Sequence, residues 1–88
     1  MYFVYMIRNS YDDLYVGVTE DPRARLRYHN QQRGAQFTKR IPTFEIVFLE
    51  QYENLTEARK REIQIKKWRR GKKETLVERY KSGLPTKL

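Results

Sequence analysis

The chain has 88 residues, of which 39% are hydrophobic and 14% aromatic, so it has room for one small globular core and not for a second domain. It contains no cysteine, which excludes disulfide bonds and thiolate metal clusters, and its net charge of +8 favours an anionic partner. The apolar run Tyr2 to Ile7 is too short to span a membrane and lacks the flanks of a signal peptide, so we expect a cytoplasmic protein without membrane association.

The first two predicted elements are the strands of a β-hairpin. Tyr2 to Arg8 and Leu14 to Val18 are rich in β-branched and aromatic residues, and a short turn-forming segment separates them. Side chains alternate between the two faces of a strand. If Tyr5 pairs opposite Gly17, we therefore expect these two residues and Tyr15 to lie on one face of the hairpin.

A helix, a loop and a third strand are predicted next. Asp21 is a good N-cap and is followed by proline, which predicts a helix that runs to Gln31 or Gln32. The segment Arg33 to Pro42 is predicted to be a loop. Phe44 to Tyr52 is predicted to be a strand with apolar residues on both faces, so we expect it to be well covered.

Two helices are predicted to complete the domain. Asn54 begins a capping-box pattern, which predicts a long helix that ends at Arg70, before a glycine, and a shorter helix follows from Lys72 to Lys81. The order β-β-α-β-α-α predicts an α+β fold with a three-stranded antiparallel sheet flanked by helices. We expect the domain to occupy residues 1–82 and residues 83–88 to form a short C-terminal tail.

The positive charge is concentrated in one part of the sequence. Residues 59–73 contain nine basic residues and one acidic residue, whereas the remaining ten basic and ten acidic residues balance. Such a concentration is typical of proteins that bind a polyphosphate. A solvated helix face is the structural alternative.

One carboxylate in this basic segment breaks the helical pattern. At about 100° per residue, Glu62 projects from the middle of an apolar arc that consists of Leu55, Ala58, Ile65 and Trp68. A carboxylate directed at a core needs a partner. That partner could be a metal ion or a buried arginine, or the helix could roll so that the carboxylate lies at the rim.

Arg25 and His29 are four residues apart and therefore share a face of the first helix. A solvated helix face would explain both, and a single histidine excludes a histidine-rich zinc site. Together with Tyr5, Tyr15 and Glu62, however, they form a set suited to phosphoryl transfer. In that chemistry a bound metal and an arginine share the charge on phosphorus, while a phenol or an imidazole handles a proton.

The order and spacing of these residues resemble those of the GIY-YIG nuclease superfamily, and most of all its short, stand-alone bacterial members. The matching positions are Val4-Tyr5, Tyr15-Val16-Gly17, Arg25, His29 and Glu62. The chain departs from the family pattern at three positions. Phe3 replaces the first signature glycine, Val18 replaces a residue that is often polar or basic, and Glu74 replaces an asparagine found in some members.

The resemblance implies an endonuclease that hydrolyses nucleic-acid phosphodiester bonds with Mg²⁺ or Mn²⁺. In this interpretation Glu62 is the metal ligand and Arg25 faces the scissile phosphate. Tyr5 or Tyr15 activates or positions the attacking water, and His29 assists the proton transfer.

Nucleic acid, with DNA favoured over RNA, is the expected partner, and no obligatory protein partner is evident. Gly17 would let a phosphate approach the backbone closely. The residues expected to grip backbone phosphates are Lys39, Arg40, Lys66, Lys67, Arg70 and Lys73. We expect structure-selective or single-strand-preferring cleavage rather than sequence-specific cleavage. The alternative is a non-catalytic or weakly catalytic nucleic-acid-binding module on the same fold.

Overall fold

The computed structural model describes the backbone of residues 1–34 and 43–88 and the side chains of residues 1–31 and 43–88. Three strands form one antiparallel sheet with the order β2-β1-β3. Three helices cover it, in the predicted order β-β-α-β-α-α. The bounds are β1 Tyr2–Asn9, β2 Leu14–Thr19, α1 Pro22–Gly34, β3 Phe44–Tyr52, α2 Leu55–Lys66 and α3 Arg70–Lys81.

The hairpin has the register under which Tyr5, Tyr15 and Gly17 were expected to share a face. Tyr5 pairs opposite Gly17, and Ile7 pairs opposite Tyr15. Strand β3 pairs with the other edge of β1, with a bulge between Met6 and Ile7 that shifts the register by one residue. The most buried strand, β1, is thus the central one, and both of its faces carry packed side chains.

The two faces of the sheet have separate cores. The face covered by α2 and α3 contains Val4, Met6, Phe48, Ala58, Ile65, Leu76 and Val77. The face covered by α1 contains Tyr5, Ile7 and Phe44, with Leu26, Ile46 and Leu49 packed against them. The prediction that β3 carries apolar side chains on both faces is confirmed, and the smaller core is the one that includes a predicted site residue, Tyr5.

Side chains cap the helices at the predicted starts. The Asp21 carboxylate accepts a hydrogen bond from the backbone N–H of Ala24 at 3.1 Å, and the Asn54 side chain accepts one from Glu57 N–H at 2.9 Å. Helix α1 continues to Gly34, beyond the predicted end, so the predicted loop begins later. The rest of that loop, residues 35–42, lies outside the described residues.

The predicted long helix ending at Arg70 is wrong, because α2 ends at Lys66 and Arg70 begins α3. Trp68 N–H donates to the Ile65 carbonyl at 3.0 Å, a tighter turn than that of an α-helix, and this turn closes α2. Gly71, which looked like the helix stop, lies in the first turn of α3. The change of direction has a packing reason, since it lets α3 bury Leu76 and Val77 against the sheet.

A buried ion pair joins β3 to α2 at the side of the larger core. Arg61 Nε donates to Glu50 Oε1 at 2.8 Å, and each side chain is only 7% exposed. The same guanidinium donates to the Thr86 carbonyl at 2.7 Å, while the Thr86 hydroxyl donates to Glu50 Oε2 at 2.8 Å. The segment predicted as a tail, 83–88, is therefore held against the domain by Thr86.

Candidate active site

Tyr5 lies across the backbone of Gly17 in the neighbouring strand. A Cβ atom added to Gly17 would meet the Tyr5 hydroxyl and would lie 2.6 Å from its Cζ. No side chain therefore fits at position 17 while the Tyr5 ring stays in place. The glycine of the hairpin makes room for the phenol, a local reason for this residue beyond the phosphate approach expected from the sequence.

Charged residues on two other elements of the fold affect the pKa of Tyr5. Burial raises the pKa of its phenol, the positive charge of Arg25 opposes that rise, and the negative charge of Glu62 adds to it. The three residues come from β1, α1 and α2 respectively. The charges of Arg25 and Glu62 therefore act on the same phenol, in opposite directions. The net rise means that Tyr5 keeps its proton at neutral pH.

Arg25 lies in the first turns of α1, just after the Asp21 cap, and its side chain is exposed. Its guanidinium carbon lies 5.9 Å from the centre of the Tyr28 ring, which is also exposed. Both residues line an open groove of about 600 Å³ between the start of α1, the end of β2 and the start of α2. Arg59 lines it as well, and the acidic side chains of Glu20 and Asp21 lie on the α1 side.

Tyr15 and His29 form a second group on the same face of the sheet. The Tyr15 ring packs edge-on against Phe44 with ring centres 5.7 Å apart, and the His29 ring lies 5.4 Å from the same Phe44 ring. Phe44 thus connects the two predicted proton-handling residues. Phe44 was not predicted to be a site residue, although the sequence places it first in an apolar strand.

Glu62 points inward as predicted, and its side chain is only 8% exposed. Two cations from its own helix hold it. Arg59 Nη1 donates to Oε1 at 3.1 Å, and Lys66 Nζ lies 3.1 Å from Oε2. An arginine partner was one of the predicted alternatives, but Arg59 and Lys66 were not identified, although their spacing of three and four residues from Glu62 is that of helical neighbours.

A single carboxylate can serve as the protein ligand of Mg²⁺ or Mn²⁺. Within the described residues there is no cluster of three or more histidine, aspartate or glutamate side chains that could enclose a metal. Mg²⁺ commonly retains several waters and binds through one or two carboxylates together with substrate phosphates. The inward carboxylate of Glu62, beside the groove-lining Arg59, fits that kind of site.

The predicted phosphate-binding residues differ in how far their charge is already compensated. Arg70 is paired with Glu74 at 2.9 Å and with Asp12 at 3.2 Å, and Lys66 is paired with Glu62. Within the described part of the chain, Lys67 and Lys73 form no ion pair. The other two predicted residues, Lys39 and Arg40, lie outside the described residues.

Glu74, the residue that departs from the family pattern, has a structural partner on β1. Its carboxylate accepts two hydrogen bonds from the Arg8 guanidinium, at 2.6 and 3.0 Å. The hydrogen bonding to Arg8 lowers the pKa of Glu74 to about 2, and Arg70 contributes in the same direction. Glu74 therefore fixes α3 to the sheet.

Known proteins are similar to this chain over most of its length. A family model described as the GIY-YIG catalytic domain matches residues 1–75, which include all five residues predicted to be catalytic. The UPF0213 proteins of Staphylococcus aureus strains Mu3 and Mu50 are each 40% identical over 77 residues, covering 88% of this chain and 94% of theirs.

A solved structure is similar as well. The solution NMR structure of the UPF0213 protein BH0048 from Bacillus halodurans is 30% identical, with a TM-score of 0.57. The similarity covers 89% of this chain and 84% of that one. No helix in the described part of this chain has the length and apolar character needed to cross a membrane.

Proposed function

The chain belongs to the GIY-YIG family of nucleases, and from this membership we propose that it is an endonuclease that hydrolyses nucleic-acid phosphodiester bonds with the help of Mg²⁺ or Mn²⁺. The observation that carries the proposal is the groove that Arg25 and Arg59 both line, because Arg59 is also hydrogen-bonded to the inward carboxylate of Glu62. In a purely binding protein the same carboxylate would serve only as the ion-pair partner of Arg59 and Lys66.

The proposed roles follow from charge and position. Glu62 holds the metal, which when bound stabilises negative charge on the phosphate oxygens. Arg25, exposed in the groove, binds the scissile phosphate and stabilises the additional charge of the transition state. Tyr5 keeps its proton, so its hydroxyl acts as a hydrogen-bond donor that positions the phosphate or the water rather than as a base.

Hydrolysis also requires a proton acceptor. Water attacks phosphorus, the bond to the leaving oxygen breaks, and the proton lost by the water must be accepted by another group. We assign this role to His29, with Tyr15 beside it across Phe44. Imidazole is suited to it because its ordinary pKa of about 6.5 lies near neutral pH.

Unpaired nucleotides are the proposed substrate, with DNA favoured over RNA. Tyr15 and Tyr28 are both exposed on the α1 side of the sheet. Exposed aromatic rings bind single strands by stacking on bases, with little dependence on sequence. The proposed location is the cytoplasm.

The test is cleavage of single- and double-stranded DNA with and without Mg²⁺, using wild type and Glu62→Gln. We expect the variant to lose cleavage and to keep DNA binding, measured by fluorescence anisotropy. Glu57→Gln is the matched control, because Glu57 is an exposed glutamate on the same helix. Near-normal cleavage by Glu62→Gln would refute the metal-ligand assignment, and binding without cleavage in wild type would indicate a binding module.

A further inference from the structure

Both oxygens of the Glu62 carboxylate are engaged by side chains that are themselves largely exposed. Glu62 is 8% exposed, whereas Arg59 is 56% and Lys66 54% exposed. We infer that in these three residues, here called the Glu62 clasp, Glu62 exchanges its two cationic partners for a metal ion when nucleic acid binds. Nucleic-acid phosphates draw Arg59 and Lys66 away, and the metal then takes their place on Glu62. The inference rests on the proposed function, since it concerns the same carboxylate.

Charge explains why an exchange is needed. A buried carboxylate that stays ionised requires a positive partner. In the free protein Arg59 and Lys66 provide it, one on each oxygen. A divalent cation needs the lone pairs of those same oxygens, and it repels both side chains. The metal should therefore bind more tightly once at least one of the two cations has left.

The exposure of the two cations makes the exchange possible. Ion pairs that include exposed lysine or arginine side chains are weak because water and salt screen them. Arg59 also lines the groove that contains Arg25. Arginine binds a phosphate through two parallel hydrogen bonds. A nucleic-acid strand bound in this groove would therefore give Arg59 a new anionic partner close to Glu62.

The consequence is that metal and nucleic acid bind cooperatively. If phosphates release the clasp, nucleic acid raises the affinity for the metal, and the metal must raise the affinity for nucleic acid by the same factor. The free protein would hold the metal weakly and acquire it together with the substrate. In this scheme Arg59 and Lys66 bind the phosphates directly and affect the metal indirectly, through Glu62.

Isothermal titration of Mn²⁺ into the full chain, without nucleic acid, tests the clasp directly. Arg59→Met and Lys66→Met each remove a competitor of the metal and keep a good helix former. We expect each variant to bind Mn²⁺ about three- to tenfold more tightly than wild type, the range expected for weak to moderate coupling. Lys60→Met is the matched control. It removes one positive charge next to Arg59, but Lys60 is paired with Glu57 rather than with Glu62, so we expect a change of less than about twofold.

A second experiment measures the coupling between Mn²⁺ binding and nucleic-acid binding. Anisotropy titrations with a phosphorothioate oligonucleotide, which resists cleavage, give its affinity with and without Mn²⁺. We expect Mn²⁺ to tighten binding in wild type, to do so less in Arg59→Met, and to have little effect in Glu62→Gln. Thermal melts followed by circular dichroism verify that each variant is folded.

The outcomes separate the two proposals. Equal Mn²⁺ affinities in wild type, Arg59→Met and Lys66→Met, together with loss of Mn²⁺ binding in Glu62→Gln, would overturn the clasp and leave the metal ligand in place. Unchanged Mn²⁺ binding in Glu62→Gln would overturn both the clasp and the metal-ligand assignment.

Discussion

The ring of Tyr5 lies directly against the backbone of Gly17 in the neighbouring strand, and a Cβ at position 17 would be 2.6 Å from the Tyr5 Cζ. Because Tyr5 is packed in the smaller core, its ring cannot move aside without disturbing its neighbours. We expect Gly17→Ala to reduce the free energy of unfolding by about 1–3 kcal/mol, the usual cost of overpacking. Urea denaturation measures this change.

Gly71→Ala provides the control for that experiment. Gly71 lies in α3, and nothing lies within 4 Å of a Cβ built on it. Alanine is a better helix former than glycine, so we expect this variant to be as stable as wild type or more stable. In a Tyr5→Leu background, Gly17→Ala should cost less than it does in wild type. An undiminished cost would show that the clash with Tyr5 is not its cause.

The hairpin and its register were predictable because strand alternation and one Tyr–Gly pairing leave few arrangements. The break between α2 and α3 was not. Gly71 was the visible helix stop, whereas the actual turn at Trp68 depends on the tertiary packing of α3 against the sheet. Capping residues and glycines reflect only the local sequence, so they cannot predict a turn that depends on tertiary packing.

For the charged residues, orientation could be predicted from the sequence but a distant partner could not. The inward direction of Glu62 followed from helical periodicity, and the structure confirms it. The buried pairing of Arg61 with Glu50 did not follow, because Arg61 stands in a basic run and its partner lies on β3. A partner distant in sequence becomes visible only in the fold.

Arg25→Ala should reduce the rate of cleavage by about a hundredfold or more, because it removes a charge stabiliser of the transition state. The fold should survive, since the ion-pair partners of Glu62 are Arg59 and Lys66. Single-turnover kinetics and a thermal melt measure the two effects. Arg23→Ala, which removes an exposed arginine from the same helix, is the control. A largely unfolded Arg25→Ala protein would mean that Arg25 has a structural role instead.

Acid should weaken the link between α3 and the sheet. The pKa of Glu74 is lowered from 4.5 to about 2 by its hydrogen bonds to Arg8. Its stabilising contribution is therefore fully present above pH 4.5 and is lost as the pH falls toward 2. We expect wild type to lose stability across that range and Glu74→Gln, already weaker at pH 7, to lose less. Urea denaturation at several pH values tests this, and equal losses in the two proteins would contradict it.

Lys67 and Lys73 are predicted to contact backbone phosphates, and no described residue pairs with either of them. We expect Lys67→Gln with Lys73→Gln to weaken binding to all sequences alike and to flatten its salt dependence, because fewer counterions are released. Anisotropy titrations over a range of salt concentrations measure both effects. An unchanged salt dependence would mean that the phosphates contact residues other than Lys67 and Lys73. A loss of affinity limited to particular sequences would contradict recognition of the backbone.

The last prediction concerns the proton acceptor. Burial raises the pKa of the Tyr5 phenol, the positive charge of Arg25 opposes this rise, and the negative charge of Glu62 adds to it, so Tyr5 loses its proton less readily than a free tyrosine. If His29 is the acceptor, it must be neutral to act. The rate of cleavage should then increase with pH through the range in which imidazole ordinarily loses its proton, about pH 6.5.

His29→Gln, which keeps a polar side chain that does not titrate, should remove this pH dependence and lower the rate less than Glu62→Gln does. Tyr15→Phe keeps the ring that packs against Phe44 and removes only the hydroxyl, so it should reduce the rate if that hydroxyl positions the water, and it should keep the pH dependence because His29 is unchanged. Tyr5→Phe should also keep it, since the Tyr5 phenol does not titrate in this range. If the pH profile of His29→Gln matches that of wild type, the imidazole is not the acceptor, and the proton of the attacking water leaves by another route.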